Sequence, residues 1–227
     1  GIKYFDTAPL YGNGRSEKRY GKVLGEYPRD SFVLSSKVGR VLVPDEADPG
    51  DWAIDDIPHL TAKFDLTRDG IMRALEEGLE RSGLDHVDIL YLHDPDVEDM
   101  EDEANATAFP TMIELREQGV VKAIGCGMNQ WQMLADFAVA GDFDCFLLAG
   151  RYTLLDQSGL AELLPLCVEK RISIILGGPY NSGILASDLS PSATFDYKTV
   201  PPDMLDRARR AKSVCDRHGV PLKAAAL

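Results

Sequence analysis

The sequence predicts an α/β protein with the architecture of an incomplete TIM-type (β/α)8 barrel. Six short apolar segments typical of strands alternate with segments typical of helices, and strict alternation indicates a parallel sheet covered by helices. Three of these strands end in an ionisable residue, namely Asp6, Lys37 and His93. The carboxyl ends of barrel strands converge on one mouth, where such enzymes carry their catalytic groups. An open doubly wound sheet would instead need a glycine-rich turn after the first strand, and that strand runs into 7–9, Thr-Ala-Pro.

The strands are rich in β-branched and aromatic residues, and we expect them at 2–5, 32–36, 87–92, 121–125, 145–149 and 172–176. Helices are predicted from apolar periodicity at 16–24, 70–82, 111–118, 131–140, 159–169 and 202–218, with a further short helix beginning at 220. Ser16 is the expected cap of the first helix, and Gly219 ends the last long one. The segment 38–65 is rich in Asp, Pro and Gly, and we expect an irregular loop that acts as a lid.

Composition narrows the classes of partner. The chain has 227 residues and a net charge of -13, from 37 acidic and 24 basic residues. Such a surface repels phosphate backbones and anionic lipids, so we expect no nucleic-acid partner and no membrane partner. No apolar run is long enough to span a bilayer and no signal peptide is visible. The four cysteines lack CxxC spacing, which favours reduced thiols, no metal site and a cytoplasmic location.

The residues at and after the strand ends include groups that can transfer protons. A tyrosine has a pKa of about 10, so it needs a neighbouring positive charge to act as a base near neutral pH. The segment 6–12, Asp-Thr-Ala-Pro-Leu-Tyr-Gly, taken with Lys37 and His93, resembles the aldo-keto reductases. By this chemistry and this resemblance, Tyr11 is the expected general acid/base, Lys37 tunes it and Asp6 anchors Lys37. His93 is expected to hydrogen-bond the substrate oxygen. We interpret the neighbouring Asp94 as a turn-former.

Three further stretches, 127–131, 149–157 and 181–185, are similar to a bacterial branch of aldose and fucose dehydrogenases. The resemblance implies an NAD(P)-dependent oxidoreductase that converts the anomeric hydroxyl of an aldose to a lactone. Two alternatives stay open: oxidation of a pyridoxal-type alcohol or hemiacetal, and a nucleotide-binding regulatory or interaction subunit without turnover. The expected substrate is a small molecule, and Trp52 in the predicted loop is a candidate for stacking on a sugar.

The resemblance also implies a set of cofactor-binding residues. Asn129 matches the residue that holds the nicotinamide carboxamide, and the usual stacking ring aligns with Gly177 or Gly178. Tyr152 or Tyr180 is therefore expected to supply the ring. Backbone donors of the next turn are expected to meet the pyrophosphate, at Asn181, Ser182 and Gly183.

The family has a strand before the one that carries Asp6 and a final strand and loop that hold the adenosine. Neither is present, so we expect one partial barrel domain over 1–227, as part of a longer polypeptide. The sequence leaves open which sugar is used, the choice between NAD and NADP, and the oligomeric state.

Overall fold

A computed structural model describes residues 1–45 and 59–227 of the chain. The residues cluster into two compact units, 1–127 and 128–227, which are described separately below. Trp52 lies outside the described residues, so its predicted role in stacking stays a prediction. The expectation of a single domain also stays a prediction.

The first unit contains a parallel sheet. Its strands, in spatial order, are β1 (Tyr4–Asp6), β2 (Val33–Val38), β5 (Ile89–His93) and β6 (Ala123–Met128). The last residue of β6 opens the second unit. The register pairs Asp6 with Ser35 and Lys37 with Tyr91. The first four predicted strands are therefore present, and each pair is parallel.

Helices connect these strands, and their bounds are α1 (Arg15–Leu24), α2 (Arg68–Ser82), α3 (Glu101–Glu103) and α4 (Phe109–Glu117). The Thr67 side chain accepts a hydrogen bond from the backbone N–H of Gly70, which caps the amino end of α2. Gly83 ends the same helix in a left-handed conformation at φ 67°. The predicted cap of α1 is wrong, because Gly14 occupies that position and the Ser16 hydroxyl accepts from Thr7 instead.

The segment 38–65 is not irregular throughout, as the sequence had suggested. Strands β3 (Arg40–Pro44) and β4 (Leu60–Phe64) pair antiparallel, with Arg40 opposite Phe64. The run 60–64 alternates apolar and polar residues, and the run 40–44 has three consecutive apolar residues. Both are strand signals, which the surrounding Asp, Pro and Gly obscured. The pairing fixes both ends of the segment beside the carboxyl end of β2.

The second unit contains two parallel strands, β7 (Cys145–Ala149) and β8 (Ser173–Gly177), which pair Cys145 with Ser173. A small antiparallel pair, which the sequence analysis missed, is formed by β9 (Thr194–Phe195) and β10 (Lys198–Thr199). The helices are α5 (Trp131–Ala140), α6 (Leu163–Lys170), α7 (Pro202–Arg217) and α8 (Leu222–Ala225). The predicted helix at 159–169 begins later than expected, because a short 3₁₀ turn occupies 158–160.

Within 1–45 and 59–227, no helix is both long and apolar enough to cross a bilayer.

Candidate active site

The geometry of the first unit directs three predicted residues to one place. Asp6, Lys37 and His93 lie at or next to the carboxyl ends of β1, β2 and β5. Side chains alternate between the two faces of a strand, so His93 shares a face with Tyr91, two residues earlier. Since Tyr91 pairs with Lys37, Lys37 and His93 project from the same face.

Lys37 is almost completely buried, with 2% of its surface exposed. Its Nζ donates to Asp6 Oδ2 at 2.5 Å and to the backbone carbonyl of Thr7 at 3.0 Å. Burial lowers the pKa of Lys37, and the charge of Asp6 together with its hydrogen bond opposes that shift. Asp6 thus favours the charged form of an amine whose pKa is lowered by burial.

Tyr11 follows β1 in a turn, where its N–H donates to the carbonyl of Ala8 at 3.1 Å. Gly12 continues the turn with φ 62°, a conformation that favours glycine. The centroid of the Tyr11 ring lies 4.5 Å from Lys37 Nζ and 5.6 Å from the centroid of the His93 ring, with the rings nearly perpendicular. The structure therefore brings Asp6, Tyr11, Lys37 and His93 together in one cluster.

His93 is buried, with 5% of its surface exposed. Burial lowers the pKa of His93 well below its usual value, and the positive charges of Lys37 and Arg40 lower it further. The imidazole is therefore neutral near pH 7. A neutral imidazole carries one donor and one acceptor nitrogen, so it can hydrogen-bond a polar oxygen without adding charge.

A second polar layer lies beneath this cluster, and the sequence analysis missed it. The Ser35 hydroxyl donates to Asp6 Oδ1 at 2.6 Å and lies 2.8 Å from the Tyr4 hydroxyl, which is 3.4 Å from the hydroxyl of Tyr91. Each member precedes a strand-end residue by two positions: Tyr4 precedes Asp6, Ser35 precedes Lys37, and Tyr91 precedes His93. The period of two along a strand could have revealed this layer.

The amides predicted to bind the cofactor gather in the second unit. Asn129 Nδ2 donates to the carbonyl of Ala149, and Asn181 Nδ2 donates to the carbonyl of Gly150, both at 3.0 Å. Gly150 has φ 71°, and a Cβ added there would lie 3.6 Å from Asn181 Nδ2 and 3.8 Å from Asn129 Nδ2. Gly178 has φ 56°, and its added Cβ would lie 3.6 Å from the Gly150 nitrogen. Two glycines and two amides thus form a polar cradle after β7 and β8.

The other predicted cofactor residues flank this cradle. Asn181, Ser182 and Gly183 have φ values of 46°, 59° and 99°, so three consecutive residues adopt a left-handed conformation. The Ser182 hydroxyl accepts from the N–H of Tyr197 at 2.9 Å. Tyr152 is 38% exposed, whereas Tyr180 packs against the apolar core of the second unit. Tyr152 therefore offers a more accessible ring than Tyr180.

The comparison with known proteins decides the family. The model of the aldo/keto reductase family matches residues 1–227. The chain belongs to the aldo/keto reductase family. It is 43% identical to a D-threo-aldose 1-dehydrogenase from Pseudomonas sp, covering 100% of this chain and 70% of the relative. It is 37% identical to a pyridoxal 4-dehydrogenase from Microbacterium luteolum, covering 100% of this chain and 71% of the relative.

Solved structures agree on the fold of this aldo/keto reductase. A glycerol dehydrogenase from Gluconobacter oxydans superposes with a TM-score of 0.75 at 21% identity, covering 100% of this chain and 67% of that one. An aldo-keto reductase from Bacillus halodurans superposes with a TM-score of 0.70 at 25% identity, covering 93% of this chain and 63% of that one. The predicted barrel class and the predicted family are both confirmed, and the protein is an oxidoreductase.

Proposed function

We propose that this aldo/keto reductase is an NAD(P)-dependent dehydrogenase that oxidises the anomeric hydroxyl of an aldose to a lactone. The observation that carries the proposal is the position of the Tyr11 ring, which lies against both Lys37 Nζ and the neutral ring of His93. The 43% identity to an aldose 1-dehydrogenase supports the substrate class. The same residues serve the reverse reaction, the reduction of a carbonyl.

Each residue of the cluster has a proposed role. Tyr11 removes the proton of the anomeric hydroxyl, and the C–H hydride leaves the same carbon as the C=O bond of the lactone forms. Lys37 favours the phenolate of Tyr11 electrostatically, and Asp6 keeps Lys37 charged despite its burial. His93, neutral near pH 7, hydrogen-bonds the substrate oxygen and orients it.

The polar cradle of the second unit fits a nicotinamide dinucleotide. When bound, the nicotinamide ring supplies the hydride acceptor. Asn129 is the proposed partner of its carboxamide, and Tyr152 is the proposed stacking ring because it is the more exposed of the two candidates. Gly178 leaves room for the close approach of a planar ring, since it carries no side chain. The turn 181–183 is proposed to present backbone donors to the pyrophosphate.

A second candidate substrate follows from the other relative. The 37% identity to a pyridoxal 4-dehydrogenase favours an aromatic alcohol or hemiacetal. The proton and the hydride leave in the same way from such a substrate. The cluster around Tyr11 therefore does not discriminate between an aldose and a pyridoxal-type compound. A parallel assay of aldoses and pyridoxal, each with NAD and with NADP, measures kcat/KM for all four combinations and decides between the substrate classes.

The replacement Tyr11→Phe tests the mechanism. It removes the proposed proton carrier and keeps the ring, so cofactor binding should survive while turnover falls by at least about a hundred-fold. Turnover is measured at saturating substrate, and cofactor affinity by fluorescence titration with the reduced dinucleotide. Tyr27→Phe is the matched control, since Tyr27 is 59% exposed. A Tyr11→Phe protein with near-normal turnover would refute the mechanism.

A further inference from the structure

The carboxylate of Asp94 lies between two residues at the mouth of the first unit. Its Oδ2 is 3.4 Å from His93 Nε2 and accepts a hydrogen bond of 3.5 Å from Arg40 Nη2. The Arg40 guanidinium is 4.0 Å from the centre of the Phe64 ring, which fixes it from the other side. One carboxylate oxygen thus contacts both the imidazole proposed to orient the substrate and the guanidinium of Arg40, whose side chain is 13% exposed.

The backbone explains how two consecutive residues bring their side chains together. In a continuous strand, His93 and Asp94 would project to opposite faces. Asp94 instead adopts a left-handed conformation, φ 47° and ψ 51°, which aspartate tolerates better than most residues. Its N–H still donates to the carbonyl of Gly127 at 3.0 Å, so the strand pairing extends to this residue before the chain turns. The turn predicted for Asp94 is real, and it also delivers the carboxylate to the His93 ring.

The two nitrogens of His93 have different surroundings. Within the part of the chain that the structure describes, Nδ1 is buried and has no hydrogen-bond partner. A buried N–H without an acceptor costs more than a bare lone pair, because orphaned donors are rarer than under-satisfied acceptors. The neutral ring therefore favours a proton on Nε2, where the Asp94 carboxylate can accept it. Hydrogen bonds at catalytic groups are often long before substrate binds, which accommodates the 3.4 Å separation.

We propose that Asp94 is a positioning residue that holds His93 in the Nε2–H tautomer, and that Arg40 keeps Asp94 ionised. The proposal rests on the proposed function, in which His93 donates to the substrate oxygen. The single Nε2 proton that faces Asp94 in the free protein is the one that the substrate oxygen accepts on binding, so the donor nitrogen is defined before the substrate arrives. Arg40 acts on the tautomer through Asp94, and its charge also lowers the pKa of the His93 ring directly.

The proposal predicts a pH dependence. Burial raises the pKa of Asp94 to about 6, and the nearby charge of Asp96 also raises it, whereas Arg40 and Lys37 lower it. Cys126 also faces Asp94, and burial keeps this thiol protonated by raising its pKa. Below about pH 6, Asp94 becomes a neutral acid that can donate to Nε2, and the His93 proton moves to Nδ1. Turnover should therefore fall as the pH drops through about 6.

Nuclear magnetic resonance of protein labelled with 15N-histidine reads the tautomer without an assay of activity. The four histidines are distinguished by the loss of one signal set in a His93→Gln protein. At pH 8 the His93 ring should show the Nε2–H pattern, and between pH 7 and 5 it should shift towards Nδ1–H. In Asp94→Asn that pH-dependent shift should vanish, and in Asp99→Asn it should persist, because Asp99 is an exposed residue of the same loop. An Nδ1–H pattern at pH 8, or an unchanged pH shift in Asp94→Asn, overturns the proposal.

Arg40→Met provides a second test that does not remove the carboxylate. Loss of the positive charge should raise the pKa of Asp94 further. The change of His93 from Nε2–H to Nδ1–H and the fall in turnover at low pH should therefore both move to higher pH. Asp94→Asn should lower kcat by about ten- to a hundred-fold, as expected for a loosened catalytic ring, and should leave cofactor affinity unchanged. A transition that stays in place in Arg40→Met contradicts the role of Arg40. If the tautomer behaves as expected while no tested substrate is turned over, the proposed function fails and the positioning of His93 stands.

Discussion

The replacement Asp88→Asn tests what holds the strands of the site in register. Asp88 directly precedes β5, and its carboxylate is 5% exposed. Its oxygens accept from Arg29 Nη2 at 2.6 Å, from Lys122 Nζ at 2.7 Å and from the N–H of Leu34 at 2.9 Å. The N–H of Asp88 in turn donates to the carbonyl of Leu34 at 2.8 Å. One residue therefore links β5 to β2, the two strands that deliver His93 and Lys37.

The expected loss of folding free energy in Asp88→Asn follows from the pKa of Asp88. Burial alone would raise this pKa, but the hydrogen bonds from Lys122, the Leu34 N–H and Arg29 outweigh burial and lower it from 3.8 to about 2. At about 1.4 kcal/mol per pKa unit, the difference between 3.8 and about 2 corresponds to about 2.5 kcal/mol, which solvent screening at the exposed Lys122 reduces to about 2 kcal/mol of folding free energy. Because the pKa is lower in the folded state, this stability is present above about pH 4 and is lost as the pH falls towards 2.

Asp88→Asn keeps the shape of the side chain and removes its charge. The free energy of unfolding, measured by chemical denaturation at pH 7, should be about 2 kcal/mol lower than in the wild type. The difference should shrink at pH 3, because the unfolded wild type takes up a proton on this carboxylate near pH 4 whereas the folded protein keeps it ionised down to about pH 2. Asp85→Asn is the control, since the Asp85 side chain is 78% exposed. A difference below about 0.5 kcal/mol at pH 7, within the usual range for surface substitutions, would refute the reasoning.

Two further predictions concern Lys37 and the packing of α1 against α2. Lys37→Met removes a charge that lowers the pKa of His93, so the titration of the His93 ring, followed by magnetic resonance, should move to higher pH. Turnover should fall by at least about a hundred-fold, and an unchanged His93 titration would contradict this electrostatic coupling. In Gly21→Ala the added Cβ would lie 1.7 Å from the carbonyl oxygen of Ser82, so the helices must separate. Thermal unfolding should show a loss of about 2 kcal/mol or more, whereas the exposed Lys22→Ala on the same helix should change little.

The sequence was sufficient to predict the catalytic cluster because parallel strands share a direction. Asp6, Lys37 and His93 each end an apolar run, and topology alone then gathers them at one edge. Tyr11 lies five residues beyond Asp6 in a turn that contains Pro9, and the family motif was needed to include it. The spacing of the strands could suggest which residues are neighbours in the cluster. The 4.5 Å distance between Lys37 Nζ and the centre of the Tyr11 ring, however, depends on the geometry of this turn.

Other features depend on conformations that a single sequence does not specify. Arg40 lies in the segment 38–65, which the sequence analysis predicted to be irregular, so no role was predicted for it. The pairing of β3 with β4 brings its guanidinium to Asp94. Asp94 was recognised as a turn-former, but its contact with His93 requires the left-handed backbone angle. Ser35 was read as an ordinary strand residue, although its position two before Lys37 places it on the same face.

The cluster in the first unit also shows how a buried amine and a buried imidazole keep different charges. Both are strongly desolvated, and desolvation lowers the pKa of each. Lys37 gains a carboxylate at 2.5 Å, whose other oxygen is held by Ser35 at 2.6 Å. For His93, the charges of Lys37 and Arg40 add to the effect of burial, and the Asp94 carboxylate 3.4 Å from Nε2 does not reverse it. The site thus presents one cation, Lys37, and one neutral ring, His93, to Tyr11. The lysine charge favours the phenolate of Tyr11, and the histidine adds no second positive charge beside it.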